Sequence, residues 1–284
     1  MERHLLVTVS EKHDNLFGVR FLGNFFTQKD EMKITLLYLT PKPPGRFEAD
    51  AETELRAKKS EATGRKALNE AKKELLKLGF SEEQVFTVIR ARRLSKVNEI
   101  IQEGSEGHYD AVVLGRRGLS RLEQTFDESV TSALFEQEWG FPLWICRNLD
   151  TNRKNVLACV DGSDASHRML DHVGFILGQA GHQNVTLLTI SKKGNEEDKN
   201  ADHILNRSKE ILLESGISAQ RIRFKVIPEA DAGKAIINEA RADHFAAVAV
   251  GRTGKAMGFF KKIFVGSVSR TLFQELEGAS LWLA

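Results

Sequence analysis

The sequence predicts two tandem doubly wound, Rossmann-like α/β domains, each with a five-stranded, mostly parallel sheet. Three observations predict it. The chain repeats itself, each copy alternates apolar strand-like runs with helical patterns, and glycines follow the runs where the strands of a parallel sheet would end.

The repeat is legible by eye. His108-Tyr109-Asp110-Ala111-Val112-Val113-Leu114-Gly115-Arg116-Arg117-Gly118 returns as His244-Phe245-Ala246-Ala247-Val248-Ala249-Val250-Gly251-Arg252-Thr253-Gly254. Leu5-Leu6-Val7-Thr8-Val9 matches Val156-Leu157-Ala158-Cys159-Val160, and Phe141-Pro142-Leu143-Trp144-Ile145 matches Ala279-Ser280-Leu281-Trp282-Leu283. The offset is larger at the front of the copies than at Gly115 and Gly251. The first copy therefore carries extra residues, in a Pro/Gly-rich stretch at 41–50 and the helix after it.

In the second copy strands are expected at 155–160, 185–191, 223–227, 245–250 and 280–284, and helices at 165–180, 198–214, 232–241 and 268–275. The strands are apolar almost throughout, which indicates a sheet covered on both faces. Gly79 and Gly216 each follow a helix, where a residue of positive φ is wanted to end it. The join falls in the polar stretch 148–155, giving domains 1–150 and 151–284.

Composition excludes several function classes. Hydrophobic residues make up 41% and charged residues 28%, with a formal charge of +2, so the total gives no case for nucleic acid. Arg90, Arg92 and Arg93 read as solvated edges of elements. No run approaches the roughly 20 apolar residues of a membrane span. Residues 1–10 read as a first strand rather than a signal peptide. The two cysteines, Cys146 and Cys159, lie in strand-like runs and are expected to be buried and free. The expected setting is the cytoplasm.

In an open parallel sheet a ligand binds beyond the carboxyl ends of the strands, where the strand order reverses. The second copy places Asp161 after its first strand and Gly251-Arg252-Thr253-Gly254 after its fourth. Gly266-Ser267-Val268-Ser269 then opens a helix. Glycines let the backbone approach a phosphate, and a helix N-terminus offers unpaired N–H groups. Ser267 and Ser269 add hydroxyl donors, and Asp161 is an acceptor for a base or ribose. Each glycine alone reads as a tight turn and Ser267 alone as a helix cap. The set, at the ends of two strands, favours binding.

Asp161, Gly251-x-x-Gly254 and Gly266-Ser267-Val268-Ser269, together with the order of elements in both halves, resemble the ATP-binding universal stress proteins. The resemblance covers essentially the whole chain. It implies that Asp161 and Ile190 contact adenine with Val250 nearby, and that Gly251, Gly254, Gly266 and Ser267 hold ribose and phosphates, followed by Val268 and Ser269. It implies ATP, or ADP or AMP, with Mg as a possible companion. The stretch between the second and third glycines, 255–265, is two residues longer than the family's usual spacing, which puts the phosphate register in question. The resemblance also implies pairing of domains through their last strands, here 143–146 and 281–284, within one chain or in a homodimer.

The first copy reads as degenerate. It has Ser10 where the second has Asp161, and Glu128, followed by Ser129, where the resemblance places the third glycine. Like charges about 4 Å apart repel by roughly 1 kcal/mol in water and about 4 kcal/mol at an effective dielectric of 20. A triphosphate carries several charges, and their summed repulsion exceeds the roughly 0.3–1 kcal/mol a helix N-terminus contributes to an anion.

Three functional readings follow. The leading one is a regulatory, stress-response protein whose signal is the nucleotide in the second domain, presented through the 255–265 loop to an unidentified protein partner. The second is a slow ATPase or nucleotidyl-transfer enzyme. Against it, the sequence has no Walker-A motif, no nucleophile elbow and no Cys/His metal spacing, and His167 with Asp171 reads as a surface pair. No catalytic or metal-ligating residue is singled out. The third is a ligand-free interaction scaffold.

Overall fold

The computed structural model describes residues 2–11, 16–40, 51–115, 139–147, 150–178, 181–191, 195–252 and 267–284, with 51–53 and 195–199 described by backbone alone. Two compact units divide the chain. One is Met1–Asn24, Lys29–Leu134 and Trp139–Phe141; the other is Phe25–Gln28, Phe135–Glu138 and Pro142–Ala284.

The first unit alternates strand and helix. In chain order it contains β1 (Arg3–Val9), α1 (which spans Phe17–Phe25), β2 (Met32–Thr40), α2 (Ala51–Lys77), β3 (Val85–Ala91), α3 (Lys96–Glu106) and β4 (Ala111–Gly115). The strands lie parallel in the order β3-β2-β1-β4, with Leu5 opposite both Ile34 and Ala111. Leu5, Leu6, Val7, Ile34, Leu36, Val112 and Val113 are buried, so the near-continuous apolar runs of the sequence are strands covered on both faces. The long α2 carries part of the insertion expected in this half.

The second unit holds β5 (Leu143–Cys146), β6 (Val156–Cys159), α4 (Asp164–Leu177), β7 (Val185–Ser191), α5 (Asn195–Glu214), β8 (Ile222–Pro228), α6 (Ala232–Ala242), β9 (Ala247–Val250), α7 (Ser267–Glu275) and β10 (Ser280–Leu283). Strand order is β5-β10-β9-β6-β7-β8, parallel except that β5 runs antiparallel to β10. The five strands of the repeat itself, β6 to β10, fall where the sequence predicts them, and β7 has the expected bounds.

Pairing β5 with β10 sets Trp144 opposite Trp282. Their rings stack at 4.1 Å with an interplanar angle of 5°, both fully buried. The Trp144 indole N–H donates to Nε2 of His172 on α4 at 3.0 Å. An indole nitrogen out of water needs an acceptor, and burial drives the His172 pKa down to about 3, keeping the ring neutral and able to accept.

Gly79 and Gly216 have φ of +94° and +87°, as their positions after α2 and α5 require. Cys146 is buried, with burial pushing its thiol up to about 12, and Cys159, the last residue of β6, is half-buried, with burial pushing its thiol up as well. Both are free. Arg90 is more than a solvated edge residue: its guanidinium pairs with Glu103, a carboxylate 4% exposed on α3. The second unit has a counterpart, in which Lys225 on β8 meets buried Glu239 on α6 at 2.5 Å. Among the described residues no helix is long and apolar enough to cross a membrane.

Candidate functional site

From β6 the chain steps to β7 and then β8 on one side, and crosses to β9 on the other. The strand order therefore reverses between β6 and β9, and the open ends of these strands form the crevice of such folds. The parallel register aligns Cys159 with Leu188 on β7 and with Val250 on β9. The residues just beyond these pairs (Asp161, Ile190 and Gly251) consequently share one edge of the sheet.

Asp161 is exposed at the end of β6. Its Oδ1 accepts from the Ser163 amide at 3.0 Å and from the Ser163 hydroxyl at 2.6 Å. This is an Asx turn, in which a short carboxylate side chain satisfies the backbone two residues on. Partial burial raises the Asp161 pKa, but the bonds from the Ser163 hydroxyl and amide outweigh it, and the net shift is downward. The carboxylate is ionised at neutral pH and held in place. Gly162 between them has φ of +78°, and a Cβ there would come within 3.0 Å of Ile204 on α5.

Ser163 then caps α4, its side chain accepting from the Ser166 amide at 3.2 Å. The Ser166 hydroxyl returns a bond to the Ser163 carbonyl at 2.8 Å. Gly251 lies directly on this first turn. A Cβ on it would stand 2.5 Å from the Ala165 carbonyl carbon and 2.6 Å from the Ser166 nitrogen, all backbone that cannot rotate away. The missing side chain at Gly251 thus serves the approach of strand end to helix. Beyond it, the Arg252 amide donates to the Ala284 carbonyl at 2.7 Å, tying the exit of β9 to the end of β10.

The structure brings Asp161, Ile190, Val250 and Gly251 to one edge. Ile190 is half-buried and Val250 is 4% exposed. Of the residues opening α7, Ser267 is exposed, Val268 is intermediate and Ser269 is 5% exposed, so the Ser269 hydroxyl is turned from solvent. No hydrogen bond among the described residues joins these three to the Asp161 turn. Gly254, Gly266, the 255–265 stretch, Glu128 and Ser129 lie outside the described residues. Sequence reasoning passed over Ser163, although a serine just before a helical pattern is a cap signal. It also passed over Arg168, whose guanidinium donates to the Arg252 carbonyl at 3.5 Å.

The first repeat differs at the same edge. Ser10 stands after β1 and Glu11 takes the place of Gly162. The Glu11 carboxylate accepts from the Tyr38 hydroxyl at 2.9 Å. Burial, then that hydrogen bond, push the Tyr38 hydroxyl well above its ordinary pKa.

Fold and edge together define a tandem α/β protein of doubly wound repeats, each with the crevice of its class between the first and fourth strands. This chain belongs to the universal stress protein family, whose model matches residues 1–137 and again 152–277. No curated protein is detectably similar in sequence. Among solved structures, a universal stress protein from Archaeoglobus fulgidus DSM 4304 is 16% identical, with 99% of this chain and 97% of that chain covered and a TM-score of 0.68. A functionally unknown protein from Pseudomonas aeruginosa PAO1 is 14% identical, covering 99% and 92% at a TM-score of 0.51. A universal stress protein family protein from Arabidopsis thaliana with AMP bound is 17% identical, covering 51% and 90% at a TM-score of 0.34.

Proposed function

We propose that the second repeat, 151–284, binds an adenine nucleotide, ATP first, and that its occupancy is the signal of a cytoplasmic stress-response regulator. The observation that carries the reading is the Asp161 turn: an exposed, ionised, pre-positioned carboxylate beside the exit of β9, at the reversal of strand order. A fixed acceptor of this kind takes a hydrogen bond from an adenine amino group or a ribose hydroxyl without paying to be ordered first. Gly162, Gly251 and Arg252 are all at least partly open on the same edge. In this reading Gly254, Gly266 and Ser267 hold the phosphates, any Mg rides with ATP, and the 255–265 loop changes with occupancy. The first repeat, 1–150, serves structure, since Ser10 and the bonded Glu11 replace the Asp161–Gly162 pair.

Calorimetry on the full chain with ATP, ADP and AMP tests the proposal. ATP binds the native chain. Asp161→Ala weakens it about tenfold or more, because a hydrogen bond to a charged group contributes roughly 1.5–3 kcal/mol, and Gly266→Glu removes binding through like-charge repulsion. Undiminished affinity in both variants refutes the site. An absence of heat with every nucleotide leaves the interaction scaffold.

A further inference from the structure

Arg168 lies on α4 one turn beyond Ala165, the residue on which Gly251 rests. Its own helix offers two carboxylates at ion-pairing distance in sequence, Asp164 four residues before and Asp171 three after. The exposed guanidinium pairs with neither among the described residues. Instead its Nη2 reaches across to the Arg252 carbonyl at 3.5 Å, at the exit of β9. That carbonyl is one weak acceptor for a group with five N–H donors, so most of the donor fork remains available at the crevice.

The first repeat provides an internal contrast. Gly23 on α1 and Gly174 on α4 are matching glycines, each with a partner side chain where a Cβ would go: Leu78 for Gly23, Ser215 for Gly174. Aligning the helices on them puts Phe17 at the place of Arg168. The cation is present only in the repeat that also carries Asp161 and Gly162.

We infer that Arg168 is a phosphate-positioning residue of the second repeat, which makes that site select nucleoside polyphosphates over nucleosides and cyclic monophosphates. This rests on the nucleotide reading above. A planar guanidinium engages phosphate oxygens through paired, charge-assisted hydrogen bonds. With Asp161 holding the base or ribose end, a cation held at the β9 exit is available to the anionic end. The Arg252 carbonyl supports the side chain until an anion replaces it as the better acceptor.

The test is calorimetry of the full chain with ATP, cAMP and adenosine, for the native protein, Arg168→Gln and Arg168→Phe. Gln keeps a polar side chain on an exposed helix position, and Phe restores the first repeat's residue; circular dichroism checks that both fold. The expected result is ATP affinity down by about tenfold or more in both variants, with adenosine affinity unchanged and the native preference for ATP over cAMP reduced. A smaller dependence of ATP affinity on salt should accompany it, since one charge contact is gone. Equal losses for ATP and adenosine, or no loss for either, overturn the role of Arg168 and leave the nucleotide site standing. Failure of the native chain to bind any of the three overturns both.

Discussion

Replacing Gly251 with alanine is the sharpest probe of how the site edge is built. The added Cβ would stand 2.5 Å from one backbone atom of α4 and 2.6 Å from two others, the Ala165 oxygen and the Ser166 nitrogen. Favourable contact between such atoms begins near 3.5 Å, so strand end and helix must separate by roughly 1 Å. None of the three atoms can swing aside, because they belong to a turn already fixed by the Ser163 cap and the Ser166–Ser163 return bond. Forcing a methyl group into packed structure costs about 1–3 kcal/mol. For a unit of this size that lowers Tm on the order of 5 °C. Thermal unfolding is followed by tryptophan fluorescence, to which Trp144 and Trp282 contribute from the second unit and Trp139 from the first. Gly140→Ala is the control, since a Cβ there meets nothing within 4 Å. A Gly251→Ala melting temperature equal to that of the Gly140→Ala control refutes the close approach of β9 to α4.

Acid stability tests the buried imidazole. The folded His172 pKa, about 3, lies below its ordinary value of 6.5, so the unfolded chain binds the extra proton. The neutral ring's contribution is complete above pH 6.5 and is lost by about 1.4 kcal/mol per pH unit as pH falls toward 3. His172→Phe, which installs the residue of the matching first-repeat position, Phe21, should flatten this slope between pH 6 and 4 in urea titrations; identical slopes contradict it. At neutral pH the same variant should be less stable by roughly 1–3 kcal/mol, because the Trp144 indole loses this acceptor. Ser163→Ala should cost about 1 kcal/mol as a lost helix cap, and NMR titration should find the Asp161 carboxyl moved up toward its ordinary range. An unmoved Asp161 would mean the Asx turn does not hold it.

Much of the fold is legible in the sequence because the signals are local. Strands β6, β7, β9 and β10 are short apolar runs between helical patterns, β8 alternates apolar and basic residues at the sheet edge, and Gly79 and Gly216 end helices through their own backbone freedom. The duplicated Gly115 and Gly251 segments announce the tandem repeat before any contact is known. What the sequence does not yield depends on distant partners. Gly251 is identifiable as a glycine after a strand, but its contact is with Ala165 and Ser166, far away in the chain. The burial of Ser269 follows from which face α7 turns inward, and Ser267 and Ser269 look alike in sequence. Arg90 reads as a surface charge until α3 delivers Glu103 beneath it. Arg168 carries no motif at all, and only its reach to Arg252 distinguishes it from other helix arginines. The ladder of β5 with β10, by contrast, joins the two segments, 143–146 and 281–284, whose pairing the family resemblance implies.

A crystal structure of the full chain grown with ATP is the most direct trial of the account. It predicts nucleotide at the carboxyl ends of β6 and β9, with the base or ribose against Asp161 and the phosphates toward Arg168, and nothing at the ends of β1 and β4. Nucleotide held only by the first repeat, or a second-repeat crevice closed by the chain's own side chains at saturating ATP, contradicts it.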